Sequence, residues 1–66
     1  MTFSFYEETE RGANYHIRIL ANEMGIEGHV ESSGDPRFPF ACVFRKIDRQ
    51  THHKIQSYFE EWVGPE

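Results

Sequence analysis

The chain has almost no cysteine, no long apolar run and no glycine-rich loop, and each shortage removes a class of function. Cys42 is the single cysteine, so an intramolecular disulfide and a cysteine-built metal site are both excluded. No apolar stretch approaches the roughly 18 residues of a membrane span. The first residues lack the basic flank and long apolar core of a signal peptide, so a cytoplasmic domain without membrane contact is expected. Gly25 and Gly28 are spaced like part of a nucleotide fingerprint, but they open a strand pattern and not a helix. Ser33 has no Gly-x-Ser-x-Gly setting, and no repeat, low-complexity tract or linker divides the chain.

What remains is one small domain, residues 1–66, with 38% hydrophobic and 15% aromatic residues. Without a staple, folding at this size rests on the aromatics, six of them Phe. The net charge of −4 argues against binding along a nucleic-acid backbone. That average hides a segregation. Residues 45–54 hold Arg45, Lys46, Arg49 and Lys54 against Asp48 alone, a balance of +3, which leaves −7 on the rest. Glu7, Glu8 and Glu10 gather near one end, and Glu60, Glu61 and Glu66 near the other. Two readings stand: ordinary solvated scatter, or a two-faced molecule whose acidic side meets a basic partner.

The period of the apolar residues gives the elements. Thr2 to Tyr6 alternates, with Phe3 and Phe5 on one side, and reads as a strand ended by the polar stretch Glu7 to Gly12. Residues 13–25 fit two templates. Tyr15, Ile17 and Ile19 alternate as in a strand, whereas Ile17, Leu20, Ala21 and Met24 form a helical stripe. Gly25 followed by Ile26 is a helix ending, and Thr9 or Asn14 can cap the start, so the spacing predicts a helix. Ile26 to Glu31 reads as a short strand, Ser32 to Pro36 as a loop, and Phe38 to Ile47 as the strongest strand, starting at or after Pro39. Asp48 can cap a last helix whose apolar stripe is Ile55, Tyr58, Phe59 and Trp62, stopped by Gly64-Pro65. The expected fold is α+β: a small β-α-β-β-α ferredoxin-like sandwich with a three-stranded sheet and two helices on one face. The alternative, should residues 13–24 be a strand, is four strands plus a C-terminal helix.

Few residues offer chemistry. His16, His29, His52 and His53 show no His-x3-His spacing, and His52 and His53 point about 100° apart on a helix, so no metal site is read. Cys42 lies in the most apolar strand, where a thiol acts as a small hydrophobe. One anion site is reasonable on charge: Arg45, Lys46, Arg49 and His52 cluster around the start of the last helix, although Asp48 competes for its free amides.

The order of elements, together with Met24-Gly25-Ile26-Glu27-Gly28-His29-Val30, resembles the central part of acylphosphatases, over roughly residues 10–63. In that family a helix ends in a similar Gly-aliphatic-x-Gly-x-Val run leading into strand, turn, strand and helix. Arg11-Gly12-Ala13-Asn14-Tyr15-His16 stands where the family has its phosphate loop, with His16 in place of the substrate-binding arginine and Ser32 in place of the water-orienting asparagine. The family's last strand would lie beyond residue 66. The resemblance thus implies the fold and argues against the activity. Residues 26–63 are also similar to the closing segment of PilZ cyclic-dinucleotide receptors, whose ligand-binding motifs are absent upstream here.

The expected function is that of a non-enzymatic, cofactor-free protein-binding module, a regulator or inhibitor. Contact would run through the open sheet face, a strand edge, or an acidic surface of Tyr6, Glu7, Glu8, Glu10, Glu60 and Glu61. A homodimer through open sheets fits the same features. The alternative is a phosphate- or nucleotide-binding protein using Arg11 and His16, or Arg45, Lys46 and Arg49.

Overall fold

The computed structural model describes residues 1–61. Five elements follow in order: β1 (Phe3–Glu7), α1 (Glu10–Met24), β2 (His29–Ser32), β3 (Phe40–Phe44) and α2 (Arg49–Glu61). The fold is α+β, with β3 at the centre of an antiparallel sheet of order β1-β3-β2. The four-strand alternative falls, because residues 13–24 are helical.

Capping explains why. The Thr9 side chain accepts from the Gly12 amide at 3.0 Å, so α1 begins at Glu10 and takes in the last residues of the polar stretch Glu7 to Gly12. At the other end Gly25 adopts φ 67°, and the amides of Gly25 and Ile26 both return to the Leu20 carbonyl. That left-handed residue costs nothing at glycine and turns Ile26 back into the core. Asp48 caps α2 by accepting from the Thr51 amide at 2.7 Å. The stop at Gly64-Pro65 and the Trp62 position lie outside the described residues.

The register Phe5–Cys42–Val30 across the three strands sets the faces. Phe3, Phe5, Val30, Cys42 and Phe44 all point to one side, where Ala13 and Leu20 of α1 and Ile55 and Phe59 of α2 meet them. α1 reaches all three strands, whereas α2 packs on β1. The Phe59 ring lies on Phe5 at 4.0 Å between centroids and on Phe3 at 5.7 Å. Leu20, Phe44 and Ile55 are fully buried, each stabilising by about 1.5–3 kcal/mol.

β1 and β3 also show where the pairing shifts. Phe3 faces Phe44, so an unbroken register would set Met1 against Lys46. Met1 instead exchanges both backbone hydrogen bonds with Ile47, at 2.8 and 3.1 Å. The extra residue is Lys46, held at φ 58°, which makes this a bulge at the end of the strand pair.

Candidate functional site

Two polar clusters stand on opposite faces of the sheet. The first is buried. His16 falls on the core stripe of α1, three residues after Ala13 and four before Leu20, and is 0% exposed. Its Nε2 is 2.8 Å from Glu7 Oε2 and its Nδ1 is 3.1 Å from the Tyr58 hydroxyl. An ionised carboxylate can only accept, so Nε2 carries the proton and, in the neutral ring, Nδ1 accepts from Tyr58. Phe5, Tyr15, Tyr58 and Phe59 meet the imidazole edge to face. Glu7 follows Phe3 and Phe5 in the inward alternation, and Gly12 makes room for it: a Cβ there would lie 2.9 Å from Glu7 Oε1.

Glu7, His16 and Tyr58 thus tie β1, α1 and α2 together in one hydrogen-bonded chain. Its members are those of a proton relay, but its electrostatics point to a lock. Burial first, and then the nearby acidic groups Tyr15, Glu23 and Cys42, holds the Tyr58 phenol above its ordinary range. The ring is fully enclosed, so no reacting group can reach it without opening the core. Cys42 is equally inert. Burial, with the Glu7 charge adding, pushes its thiol up to about 12, and its Sγ–H donates to the Ala13 carbonyl at 3.3 Å.

The second cluster lies on the face without helices. Ala41 and Val43 form its floor on β3, flanked by Tyr6 and Ser4 of β1 and by Glu31 and His29 of β2. Arg45 reaches across to the Glu31 carboxylate with both terminal nitrogens, its Nη2 donating to Oε1 at 3.0 Å. His29 Nε2 also meets Glu31, and lies 3.0 Å from Arg45 Nη1. One nitrogen cannot both donate to the carboxylate and accept from the guanidinium, so only one of these contacts is a hydrogen bond at a time. Hydrogen bonds from Arg45 and then His29 lower the Glu31 carboxyl to about 2.

The residues singled out from the sequence scatter between these sites. Tyr6 stands 55% exposed on the open face, and Glu8 lies exposed just past β1. Glu7 is turned inward. Glu10 sits in the first turn of α1, and Glu60 and Glu61 in the last turn of α2, where Gln56 donates to Glu60 at 3.2 Å. The anion candidates are not one group. His16 has both ring nitrogens engaged, and the segment Arg11-Gly12 is helix where a phosphate loop would need open backbone. Arg11 shares a hollow with Asn14, Tyr15 and Arg18 on the outside of α1. Arg45 and Lys46 line a separate hollow of about 550 Å³ with Lys54, but Glu27 and Asp48 line it too, and Arg49 begins α2. Asp48 takes one of the first-turn amides of α2, that of Thr51, as expected of its cap.

Sequence reading missed Tyr58 as the partner of His16, because a tyrosine on an apolar stripe looks like core. Glu7 carried a visible signal: the alternation that buries Phe3 and Phe5 puts a carboxylate on the same face, where it requires a partner. Among the described residues no three His, Cys, Asp or Glu side chains could hold a metal ion, and no helix is long and apolar enough to cross a membrane. Compared with known protein families, curated proteins and solved structures, the chain matches none.

Proposed function

We propose that this chain is a small non-enzymatic binding module that takes a protein partner on the sheet face its helices leave open. One observation carries the reading. Tyr6, the most exposed aromatic among the described residues, stands on that face beside the small Ala41 floor, with the His29–Glu31–Arg45 cluster along the opposite strand. Ala41 and Val43 beneath are already covered by their neighbours, so the accessible surface is the aromatic anchor and the polar rim, both common features of a protein interface. Glu8, exposed just past the end of β1, and the net charge of −4 favour a partner segment that is basic and carries an apolar residue for Tyr6. The enclosed His16 and Cys42 support a scaffold role for the covered face, not a catalytic one.

The test is a selection from a randomised displayed-peptide library, with Tyr6→Ala as the counter-target. Enriched peptides should carry Lys or Arg beside an apolar residue, and Tyr6→Ala should weaken them at least about tenfold. Their amide shifts in a two-dimensional NMR spectrum should fall on residues 4–6, 29–31 and 41–45. Peptides that map to the helices, or that bind Tyr6→Ala equally well, would overturn the reading.

A further inference from the structure

The outer ridge of α1 carries a charge opposite to that of the rest of the chain. Ala13, His16 and Leu20 mark the buried side of the helix. At 100° per residue, Arg11, Tyr15, Arg18 and Asn22 fall within about 40° of the direction opposite Leu20, so they point away from the sheet. All four are exposed, Tyr15 to 46%. Arg11, Asn14, Tyr15 and Arg18 line one hollow of about 530 Å³ together with Glu10. The net charge is −4, so everything outside these two arginines sums to −6.

Neither arginine is used within the fold. Among the described residues, Arg11 and Arg18 make no ion pair, whereas Arg45 holds Glu31 on the far side of the sheet. A solvated helix commonly sets a carboxylate three or four residues from each cation. Here the positions three and four away from Arg18 are Asn14, Tyr15, Ala21 and Asn22, and those following Arg11 are Asn14 and Tyr15. The ridge is thus two unneutralised guanidiniums with a tyrosine between them, and Arg and Tyr are among the side chains most enriched where binding energy concentrates. Arg11 and Arg18 stand about 10.5 Å apart along the helix axis and only about 20° around it. A second helix presents two side chains at the same repeat whenever its sequence sets them seven apart.

We propose that this ridge docks an acidic amphipathic helix of a partner protein. Two carboxylates seven residues apart on that helix meet Arg11 and Arg18, and an apolar side chain between them packs on Tyr15. Each guanidinium offers a carboxylate two parallel N–H donors. The choice of a helix over a nucleic-acid strand rests on charge. Glu10 lines the same hollow and the remainder of the chain is acidic, so a strand charged at every phosphate is repelled wherever it runs past the ridge. A helix carries its carboxylates only where the arginines are. One helix on one ridge belongs to the smaller and weaker class of interface, so binding is expected at micromolar concentration. The site shares no residue with the open sheet face and lies on the other side of the sheet, so it does not rest on that reading.

A displayed library of helical peptides, randomised on one face, tests it, with the double reversal Arg11→Glu, Arg18→Glu as counter-target. Both side chains are exposed, so the doubly reversed chain should keep the wild-type thermal midpoint. Selected helices should carry Asp or Glu seven residues apart with an apolar residue between, and should shift the amides of residues 10–22. Each single reversal should weaken them at least about tenfold. Exchanging both carboxylates of a selected helix for lysine should restore binding to the doubly reversed chain. Tyr6→Ala should leave the affinity unchanged, which keeps this outcome separate from that of the open face. A selection that yields no helix on residues 10–22 overturns the proposal, as do helices indifferent to both reversals or a lysine exchange that restores nothing. Single-stranded oligo(dT) is the second probe: saturable shifts on the same residues would make the ridge a nucleic-acid surface instead.

Discussion

Both faces of the sheet hold a histidine beside a glutamate, and the two pairs do opposite work. On the covered face His16 is 1% exposed at its side chain and Glu7 18%, and each nitrogen of the ring has a partner in a different element. On the open face the His29 side chain is 56% exposed and Glu31 33%, with water as the standing alternative to every bond they make. The same chemical pair is therefore a lock in one place and a surface ornament in the other. What differs is the cost of losing a partner: out of water an unmade bond is not replaced, whereas at the surface it is.

The comparison breaks first at His16. His16→Ala leaves a cavity and strips Glu7 and Tyr58 of their common partner, and should cost about 3–5 kcal/mol in urea unfolding. For a domain of this size that approaches the whole stability, on the order of 5 kcal/mol, so the variant should be largely unfolded. Cys42 gives a second readout. Its thiol is held at about 12 and should resist alkylation in the native chain at neutral pH, then react readily in His16→Ala. A His16→Ala protein that folds normally with an unreactive Cys42 would remove the distinction between the two pairs.

A smaller effect on the covered side comes from Gly28. A Cβ at that position would lie 2.8 Å from the Val43 carbonyl oxygen and closer still to the Phe44 ring, which is fully buried. Backbone and a packed ring must both move, and Gly28→Ala should cost about 2 kcal/mol. Tyr58→Phe is milder. It keeps the ring against His16 and Phe59 and removes one hydroxyl, leaving Nδ1 of a buried imidazole without that donor. The expected loss is about 1–2 kcal/mol in the same unfolding assay. A loss near zero would mean that water or another group satisfies the nitrogen.

Much of this fold could be read from residue spacing, and the reason is local. The Phe3–Phe5 alternation, the Ile55–Tyr58–Phe59 stripe and the Gly25-Ile26 ending are short-range patterns whose geometry the backbone alone dictates. The start of α1 stays open between Thr9 and Asn14 on spacing alone, because Glu10-Arg11-Gly12 has no apolar residue, and the Thr9 hydrogen bond to the Gly12 amide decides it. The buried chain of Glu7, His16 and Tyr58 was harder still. Its partners are separated by 9 and 42 residues, and no local pattern announces such a meeting. The same holds for the Lys46 bulge, which exists because Met1 pairs with Ile47.

The open face should give the smallest response, and pH separates it from the rest. Glu31 is held at about 2 against an ordinary value of 4.5, first by its hydrogen bonds to Arg45. Its folded value is lowered, so its contribution is fully present above the ordinary carboxylate range and is lost as pH falls from there toward 2. Because the cluster is exposed, solvent and salt screen it, and Glu31→Gln should stay within the range of ordinary surface substitutions at neutral pH. The sharper observation is the difference between the two proteins. Thermal midpoints of the wild type and Glu31→Gln should differ slightly at pH 7 and converge as pH drops toward 2. A carboxyl-carbon NMR titration should place the Glu31 midpoint near 2. Asp48 also titrates low, through its hydrogen bond to Thr51, but it does so in both proteins and cancels in the comparison. A Glu31 midpoint near 4.5 would mean that the Arg45 bridge does not persist in water, and His29, Glu31 and Arg45 would then stand on the open face as three separate side chains.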